Sequence, residues 1–257
     1  MKEWIKPDKL RLSTNSVKFG LQKFRHPAIM WSGGKDSTAM LHLIMTVCDD
    51  LNLRIPDVIF IDHNDHFDEI VEIVRNFVED NGLYLVVSKN RWMLDFPEDI
   101  NEMDKKNRDE LKRVGFNAPK LNMTLNSFEG NHLLKTVPMI DSIKERGYDA
   151  LFVGIRASEN AARSHENMFS KRNNPLHMRI HPMLMWTEDD VWSYIRENRI
   201  NVPSLYQKGY RSLDGKHSSY RLSSDPAWLQ DKNIPERAGR SQDKEGLMEK
   251  LRRWGYL

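Results

Sequence analysis

Cysteine is nearly absent from the 257-residue sequence, which contains a single one, Cys48. One cysteine excludes an intramolecular disulfide framework, a cysteine-rich zinc site and a CxxC redox pair. Cys48 falls in the apolar stripe of a predicted helix, so we expect it to be buried.

Long apolar runs are also missing. No stretch approaches the roughly 20 apolar residues that a membrane-spanning helix needs. The first residues, MKEWIKPDKLRLST, are charged and lack the apolar core of a secretory signal. Because 39% of the residues are hydrophobic and 30% are charged, we expect a folded, cytoplasmic protein.

Neither basic nor acidic residues are in large excess, since the net charge is +2. The whole molecule is therefore not a general polyanion binder. From Ser204 onward, however, 11 Lys and Arg stand against 7 Asp and Glu. This basic stretch suits a phosphate-bearing ligand at one edge or an anionic partner, and solvated charge on helices gives the same pattern.

What the sequence does contain is an alternation of short apolar runs and amphipathic segments. Strands are predicted at 28–31, 56–62, 83–88, 148–154 and 178–184. Helices are predicted after the glycines at 33–34 and at 66–82, 105–115, 132–147 and 187–199. This alternation indicates an α/β fold with a mostly parallel twisted sheet and helices on both faces. The irregular section after Pro203 is interpreted as a C-terminal extension that wraps over the sheet edge.

The densest chemical pattern is MWSGGKDSTAMLHL, residues 30–43, where a strand passes into a helix. Ligands of open α/β sheets bind beyond the carboxyl ends of the strands, and a helix start favours an anion. Glycines let the backbone approach that anion, while serine hydroxyls and one lysine add donors and charge. The aspartate is expected to face a magnesium ion or to orient a neighbour. The pattern predicts a pyrophosphate-sized ligand bound by Ser32, Gly33, Gly34, Lys35, Asp36 and Ser37.

Two common phosphate motifs do not fit this turn. GxGxxG fails on spacing, and the Walker loop needs four residues between its first glycine and the Gly-Lys pair. SGGKDS instead resembles the PP-loop of the ATP pyrophosphatase superfamily. That resemblance implies an adenine nucleotide alpha hydrolase-like fold, cleavage of ATP between the α and β phosphates, and ATP with Mg²⁺ as cofactors.

Four further stretches resemble one branch of that superfamily, the small subunit of bacterial sulfate adenylyltransferase and phosphoadenosine phosphosulfate reductase. They are VIFIDHNDHFDEI, HLLKTVPMIDSIKERGYDALFVGIRASENAARSHE, HPMLMWTEDDVWSYIRENRINVPSLY and ERAGRSQDKEGLMEKLRRWGYL. The resemblance spans roughly residues 28–257. It implies that Asp62, at a strand end, and Gly154 contact the nucleotide.

Two arginines of the second stretch are expected to act in catalysis. Arginine binds sulfate or phosphate through two parallel hydrogen bonds. Arg156 and Arg163 would share one face if their segment is helical. The alternative is that they form surface salt bridges with Glu159 and Glu166.

Two arginines of the last stretch are expected to help bind the nucleotide. Arg237 and Arg240 flank a glycine in ERAGR and are expected to close over the phosphates. The alternative is that both are surface charges.

The segment DHNDHF, residues 62–67, admits a metal interpretation. Its two aspartates and two histidines have the donor types of a divalent metal site. Nucleotide contacts or simple loop polarity are favoured over zinc, because the resembling branch places its adenine and ribose pocket here. No resident metal site is therefore predicted. Trp186 and Trp192 are expected in the core.

The departures from the branch also matter. Its reductases use a cysteine near the C-terminus, and this sequence has none after Cys48, so thiol-based reduction is not expected. The stretch between VPSLYQKGYRSL and ERAGR is shorter than in the adenylyltransferase subunit, which could alter the acceptor or the partner. No GTPase module is present, so a sulfate-activating enzyme would need a separate GTPase large subunit.

The resulting hypothesis is an enzyme in which an oxyanion, above all sulfate, attacks the α-phosphate of ATP and pyrophosphate is released. Residues 1–203 would form the nucleotide-binding domain, and residues 204–257 an extension that packs over the substrate site. One alternative is an ATP pyrophosphatase that serves sulfur insertion into DNA or tRNA with a sulfur-transfer partner protein. A second is a non-enzymatic nucleotide sensor, against which the intact Lys35 and Asp36 argue.

Overall fold

The computed structural model describes residues 7–91, 97–159 and 163–240. Its helices are α1 (Pro7–Lys23), α2 (Lys35–Asp50), α3 (Asp68–Asn81), α4 (Lys105–Arg113), α5 (Phe128–Asn131), α6 (Val137–Arg146) and α7 (Glu188–Glu197). Its strands are β1 (Pro27–Met30), β2 (Asp57–Ile61), β3 (Leu85–Ser88), β4 (Ala150–Val153), β5 (Phe169–Asn173) and β6 (Leu176–Ile180). A π-helical turn at His132–Thr136 joins α5 to α6, so the predicted helix at 132–147 is confirmed and begins earlier.

The strands form one sheet in the order β3-β2-β1-β4-β6-β5. Every neighbouring pair is parallel except β5 and β6, which form an antiparallel hairpin at one edge. The chain order reverses at β1, which lies between β2 and β4. In open parallel sheets this reversal leaves a crevice beyond the carboxyl ends of the strands, where ligands bind.

Helices cover both faces of the sheet, which confirms the predicted α/β fold. Alternate strand residues point to opposite faces. On one face Ile29 and Phe152 belong to the same core cluster as Met40 of α2. On the other face Leu151 packs in a cluster with Ile143 of α6. Because both faces are buried, β1, β2 and β4 read as continuous apolar runs.

Several local predictions are confirmed. Cys48, Trp186 and Trp192 are buried in the main core cluster. Helix α3 ends at Gly82, whose φ of 57° places it in the left-handed region that glycine adopts without strain. Helix α7 begins with the expected capping box, in which the Thr187 hydroxyl and the Asp190 carboxylate each accept the other residue's backbone N–H. No helix among the described residues is long and apolar enough to cross a membrane.

The predicted strand at 178–184 is partly wrong. The strand is Leu176–Ile180, and residues 181–184 form a turn. Its partner β5 was not predicted, because an edge strand of sequence FSKRN has few apolar residues.

Helix α1 was not predicted either: Val17 lies in the main core cluster, but part of the helix's buried face is made of small and polar residues. The side chain of Ser13 donates to the carbonyl of Pro182, and a Cβ at Gly20 would lie 2.6 Å from Ile180 Cδ1. Small and polar residues carry little apolar periodicity.

Residues 204–240 wrap against the α/β body as an irregular segment with short 3₁₀ turns at Ser204–Tyr206 and Ala227–Leu229. Leu205, Tyr206 and Ala227 belong to the same core cluster as the sheet. The proposed domain boundary at residue 203 stays a prediction. The predicted tail match over 241–257 lies outside the described residues.

Candidate active site

The glycine-rich turn lies between β1 and α2, at the carboxyl end of β1. Gly33 has a φ of 73°, and a Cβ there would lie 3.1 Å from Ile70 and 3.2 Å from Val74. Both the backbone conformation and the close packing therefore require glycine. Helix α2 begins at Lys35, and no side chain caps it at Gly34.

The first turn of α2 is held by hydroxyl groups. The backbone N–H of Lys35 donates to the hydroxyl of Tyr206 at 2.9 Å. The N–H of Ser32 donates to Ser37 Oγ at 3.2 Å, and Ser37 Oγ donates to the carbonyl of Gly34 at 3.1 Å. A Cβ at Gly154 would lie 3.1 Å from Ser37 Cα, so glycine lets the end of β4 approach the turn.

A cavity of about 260 Å³ opens at the carboxyl ends of β1, β2 and β4. Nine of the sequence-predicted site residues line it: Ser32, Gly34, Lys35, Asp36, Ser37, Gly154, Arg163, Arg237 and Arg240. Gly33, Asp62 and Arg156 do not line it, although Gly33 shapes the turn and Arg156 lies behind its wall. The predicted site residues thus come from four separate segments of the chain and meet at one cavity. Their roles stay predictions.

The four residues of the inner group are Lys35, Asp36, Arg156 and Glu236. Lys35 Nζ lies 2.6 Å from Glu236 Oε1 and 3.1 Å from Asp36 Oδ2. Arg156 donates to Asp36 Oδ1 at 2.6 Å and to both oxygens of Glu236, at 2.6 and 2.7 Å. Two cations and two carboxylates thus form a closed ring of ion pairs.

In the inner group, burial and the neighbouring charges shift the pKa values of the side chains in opposite directions. Burial by itself would lower the pKa of Lys35, but Asp36 and Glu236 outweigh it, and the pKa is raised. Burial would raise the pKa of Asp36, but Arg156 and Lys35 outweigh it, and the pKa is lowered. Burial would lower the pKa of Arg156, but Asp36 and Glu236 outweigh it and the pKa is raised, so Lys35, Asp36 and Arg156 are charged at neutral pH. The ammonium of Lys35 is therefore held by two carboxylates and is not a free, mobile cation.

The outer group consists of Arg163, Arg237 and Arg240 around Glu159. Arg163 and Arg237 both form ion pairs with Glu159. Burial, followed by repulsion from Arg240, lowers the pKa of Arg237 to about 10. Burial would raise the pKa of Glu159, but Arg163 and Arg237 are the largest of the opposing charges, and that pKa is lowered.

The outer group also holds hydrogen-bond donors without partners. Within the described part of the chain, Arg237 Nη2 and Arg240 Nε are buried and make no hydrogen bond. Both side chains line the cavity. Buried donors of this kind are costly unless a ligand accepts from them. The arrangement therefore fits an oxyanion with several acceptor oxygens.

The edge of the cavity near β2 carries two stacked histidines. The rings of His63 and His66 lie 3.7 Å apart. Burial, then repulsion from Lys135, lowers the pKa of His63 to about 2, so its ring is neutral. Asp62 accepts from the N–H of Asn64 at 3.0 Å.

Asp65, the remaining residue of the DHNDHF segment with a metal-binding side chain, interacts with a residue from another part of the chain. Asp65 accepts a hydrogen bond from His217 Nδ1 at 2.6 Å. Among the described residues, no three His, Cys, Asp or Glu side chains are placed to hold one metal ion.

The expected helical face for Arg156 and Arg163 is not observed. Arg156 precedes a short 3₁₀ turn at Ala157–Glu159, and residues 160–162 lie outside the described part of the chain. Arg163 forms the ion pair with Glu159 that the alternative named, but Glu159 is buried rather than on the surface, and Glu166 pairs with Arg172 instead. Arg156 is fully buried, so it is not a surface charge.

Sequence reasoning missed several polar residues of the site. Glu236 and Asp214 were not among the predicted site residues, because a carboxylate is not expected beside an anion, and Glu159 was named only as an ion-pair partner. The signal that could have found Glu236 is its place in ERAGR, directly before two predicted site arginines. Lys135, which lines the cavity and pairs with Asp214, stood in the recognised second stretch but was not selected.

Comparison with known proteins agrees with this geometry. A family profile described as the phosphoadenosine phosphosulfate reductase domain matches residues 26–220. Sulfate adenylyltransferase subunit 2 of Mycobacterium sp. (strain JLS) is 31% identical over 207 residues, which cover 72% of this chain and 59% of that protein. The chain thus spans less than two thirds of the length of the curated relatives it matches.

Two solved structures share the fold at low sequence identity. Phosphoadenylyl-sulfate reductase from Candida auris, solved as a phosphate complex, superposes with a TM-score of 0.61 at 22% identity, covering 81% of this chain and 90% of that one. FMN adenylyltransferase of Candida glabrata, solved as a mutant, gives a TM-score of 0.66 at 16% identity, covering 93% and 90%. Because the family profile matches about three quarters of the sequence, the chain belongs to the phosphoadenosine phosphosulfate reductase domain family.

Proposed function

We propose that the chain transfers the adenylyl group of ATP to sulfate. A sulfate oxygen attacks the α-phosphorus, the bond to the oxygen that bridges to the β-phosphate breaks, and pyrophosphate leaves with that oxygen. The observation that carries this proposal is that one cavity is lined both by the start of α2, with Lys35, and by the outer arginine group. The first suits the departing pyrophosphate and the second suits the incoming oxyanion.

In this proposal the protein contributes positioning and charge rather than covalent chemistry. Lys35 would offset the charge that grows on pyrophosphate as the bond breaks. Asp36 and Arg156 would hold the lysine through the ion pairs of the inner group. Mg²⁺ would enter on the phosphates of ATP, as is usual for this ion.

The acceptor would bind at the outer arginine group. The unpaired N–H groups of Arg237 and Arg240 offer hydrogen bonds to a tetrahedral oxyanion. Arg163 adds a third positive charge, and Glu159 neutralises part of the total. These features favour a small dianion such as sulfate. They support ATP and an oxyanion as the two substrates.

Thiol-based reduction does not fit the chain. Its single cysteine, Cys48, is buried in α2, and burial raises the pKa of the thiol to about 11. A protonated, buried thiol is a poor nucleophile. The similarity to sulfate adenylyltransferase subunit 2 therefore supports the proposal better than the reductase names do.

We further propose that the chain works with a GTPase large subunit in the cytoplasm. The curated relatives bear the name of one subunit of a two-part enzyme. Their extra length beyond the matched region leaves room for differences in that partnership.

Pyrophosphate release is the reaction to measure. The protein should release pyrophosphate from ATP when sulfate and a GTPase partner are supplied, and the release should depend on sulfate. Release stimulated by DNA or tRNA and indifferent to sulfate would instead support sulfur insertion into nucleic acid. Tight ATP binding without turnover under any condition would support a nucleotide sensor and contradict the enzyme.

A further inference from the structure

The carboxylate of Glu236 lies where the phosphate-binding lysine would otherwise meet its ligand. It is buried and contacts Lys35 Nζ at 2.6 Å and Arg156 Nη2 at 2.6 and 2.7 Å. This contact joins residues 201 positions apart in the sequence. Glu236 therefore brings an acidic group from the ERAGR segment against Lys35 and Arg156, behind the residues that line the cavity.

Charge within the inner group is already balanced before any nucleotide enters. Lys35 and Arg156 are matched by Asp36 and Glu236. A phosphate oxygen bound to Lys35 Nζ would lie about 5 Å or less from the Glu236 oxygens. Like charges at that distance disfavour each other's ionised forms. The lysine thus has no spare charge for a polyphosphate while Glu236 stays in place.

The same segment carries both Glu236 and the arginines of the outer group. Arg237 and Arg240 follow Glu236 directly, and both line the cavity. Arg211 anchors the start of the segment by donating to the carbonyls of Asp231 and Ile234, each at 2.8 Å. An anion that pulls on Arg237 and Arg240 would therefore act on the backbone that holds Glu236.

We propose that Glu236 is an internal substitute for phosphate that closes the site when it is empty and must leave Lys35 before pyrophosphate or ATP can bind. This proposal rests on the proposed function, because it assigns the phosphate end of the same site. Glu236 thereby weakens nucleotide binding and stabilises the empty enzyme. A residue that merely positions Lys35 would have the opposite effect on binding.

The test is the affinity of Glu236→Gln for inorganic pyrophosphate and for ATP, each with Mg²⁺, measured by isothermal titration calorimetry. Glutamine keeps the shape and removes the charge, so we expect binding at least about tenfold tighter than that of the wild type. Glu145→Gln is the matched control, since it neutralises an exposed carboxylate on α6 that does not line the cavity. Equal or weaker binding by Glu236→Gln would overturn the proposal.

A second measurement uses the unaltered protein, so it does not depend on the variant's folding. A crystal structure with pyrophosphate should show the phosphate on Lys35 and the Glu236 carboxylate more than about 4 Å from that ammonium. Pyrophosphate on Lys35 with the Glu236 pair intact would contradict the proposal. Absence of any nucleotide or pyrophosphate binding, by wild type and variant alike, would contradict the proposed function itself.

Discussion

Two neighbouring groups of charged side chains serve one cavity, and they are balanced in different ways. In the inner group each cation has a carboxylate partner, and Arg156 is fully buried. In the outer group Arg163 and Arg237 share Glu159, Arg240 pairs with Asp214, and Arg237 and Arg240 keep buried N–H groups without partners within the described chain. The difference separates side chains that are satisfied in the empty protein from side chains that need a ligand.

We therefore expect the inner group to contribute mainly to the stability of the fold and the outer group mainly to anion binding. Breaking a buried ion pair leaves an uncompensated charge, which strongly destabilises a fold. Removing one of several neighbouring positive charges costs much less stability, because like charges repel each other, but it removes a contact for an anion. The four predictions that follow test this contrast, beginning with the largest expected effect.

Arg156→Met should destabilise the protein most. Methionine has a similar length but no charge, so Asp36 and Glu236 lose their common partner inside the protein. We expect the free energy of unfolding to fall by about 3–5 kcal/mol. Urea denaturation followed by circular dichroism measures it.

The matched variant is Arg240→Met in the outer group, which should cost about 1 kcal/mol or less, because its ion pair with Asp214 is long, at 3.8 Å, and Asp214 keeps Lys135 as a partner. Equal losses in the two variants would remove the distinction between the groups.

Lys35→Ala should abolish most of the turnover at a temperature where the variant, which also loses buried ion pairs, is still folded. The variant lacks the ammonium that is proposed to offset charge on the leaving pyrophosphate. Loss of one such group costs about 100- to 1,000-fold in kcat. Pyrophosphate release under saturating ATP and sulfate measures it. A variant that keeps full turnover would exclude the glycine-rich turn from the reaction.

Arg237→Gln should weaken the acceptor more than the nucleotide. A hydrogen bond to a charged group contributes about 1.5–3 kcal/mol, which is about 10- to 150-fold in affinity. We expect KM for sulfate to rise by this factor and KM for ATP to change by less than about threefold. Arg11→Gln, which alters an exposed arginine of α1, is the control. A rise confined to ATP would place the outer group on the phosphates instead.

Much of the fold was predictable because the sequence follows simple rules there. β1, β2 and β4 are covered on both faces, so their apolar runs are continuous. The glycine-rich turn was recognisable because Gly33 must adopt a positive φ and pack against Ile70. Helix α1 and strand β5 escaped prediction because Ser13, Gly20 and Ser170 interrupt their buried faces, although Val17 of α1 lies in the core.

The part of the site that could be predicted from the sequence consists of the cationic residues at motif positions. Arg163, Arg237 and Arg240 do meet around one cavity. Glu159 was named from the sequence as a partner of Arg163, but Glu236 could not be foreseen, because ion pairing between Lys35 and Glu236 depends on how distant segments fold together. Arg156 shows the same limit, since the sequence identified the residue but not its place behind the cavity wall.

The smallest expected effect concerns the histidine edge of the cavity and its dependence on pH. Burial holds the pKa of His63 at about 2 in the folded protein, against 6.5 in the unfolded chain. Between these values the unfolded state binds the proton, so stability falls as the pH drops below 6.5. At about 1.4 kcal/mol per pH unit, His63 should cost about 2 kcal/mol between pH 6.5 and 5. The fold accommodates the neutral ring because Nδ1 accepts the N–H of Asp65 at 3.2 Å.

His63→Asn keeps an acceptor near that N–H but cannot titrate. Denaturation of both proteins at pH 7.5 and pH 5 should therefore show that the wild type loses about 2 kcal/mol more than the variant. Acid also protonates the carboxylates of the inner and outer groups, and the difference between the two proteins removes that shared loss. Identical losses would mean that His63 takes up its proton in the folded state, and the ring would then add a positive charge to the anion site.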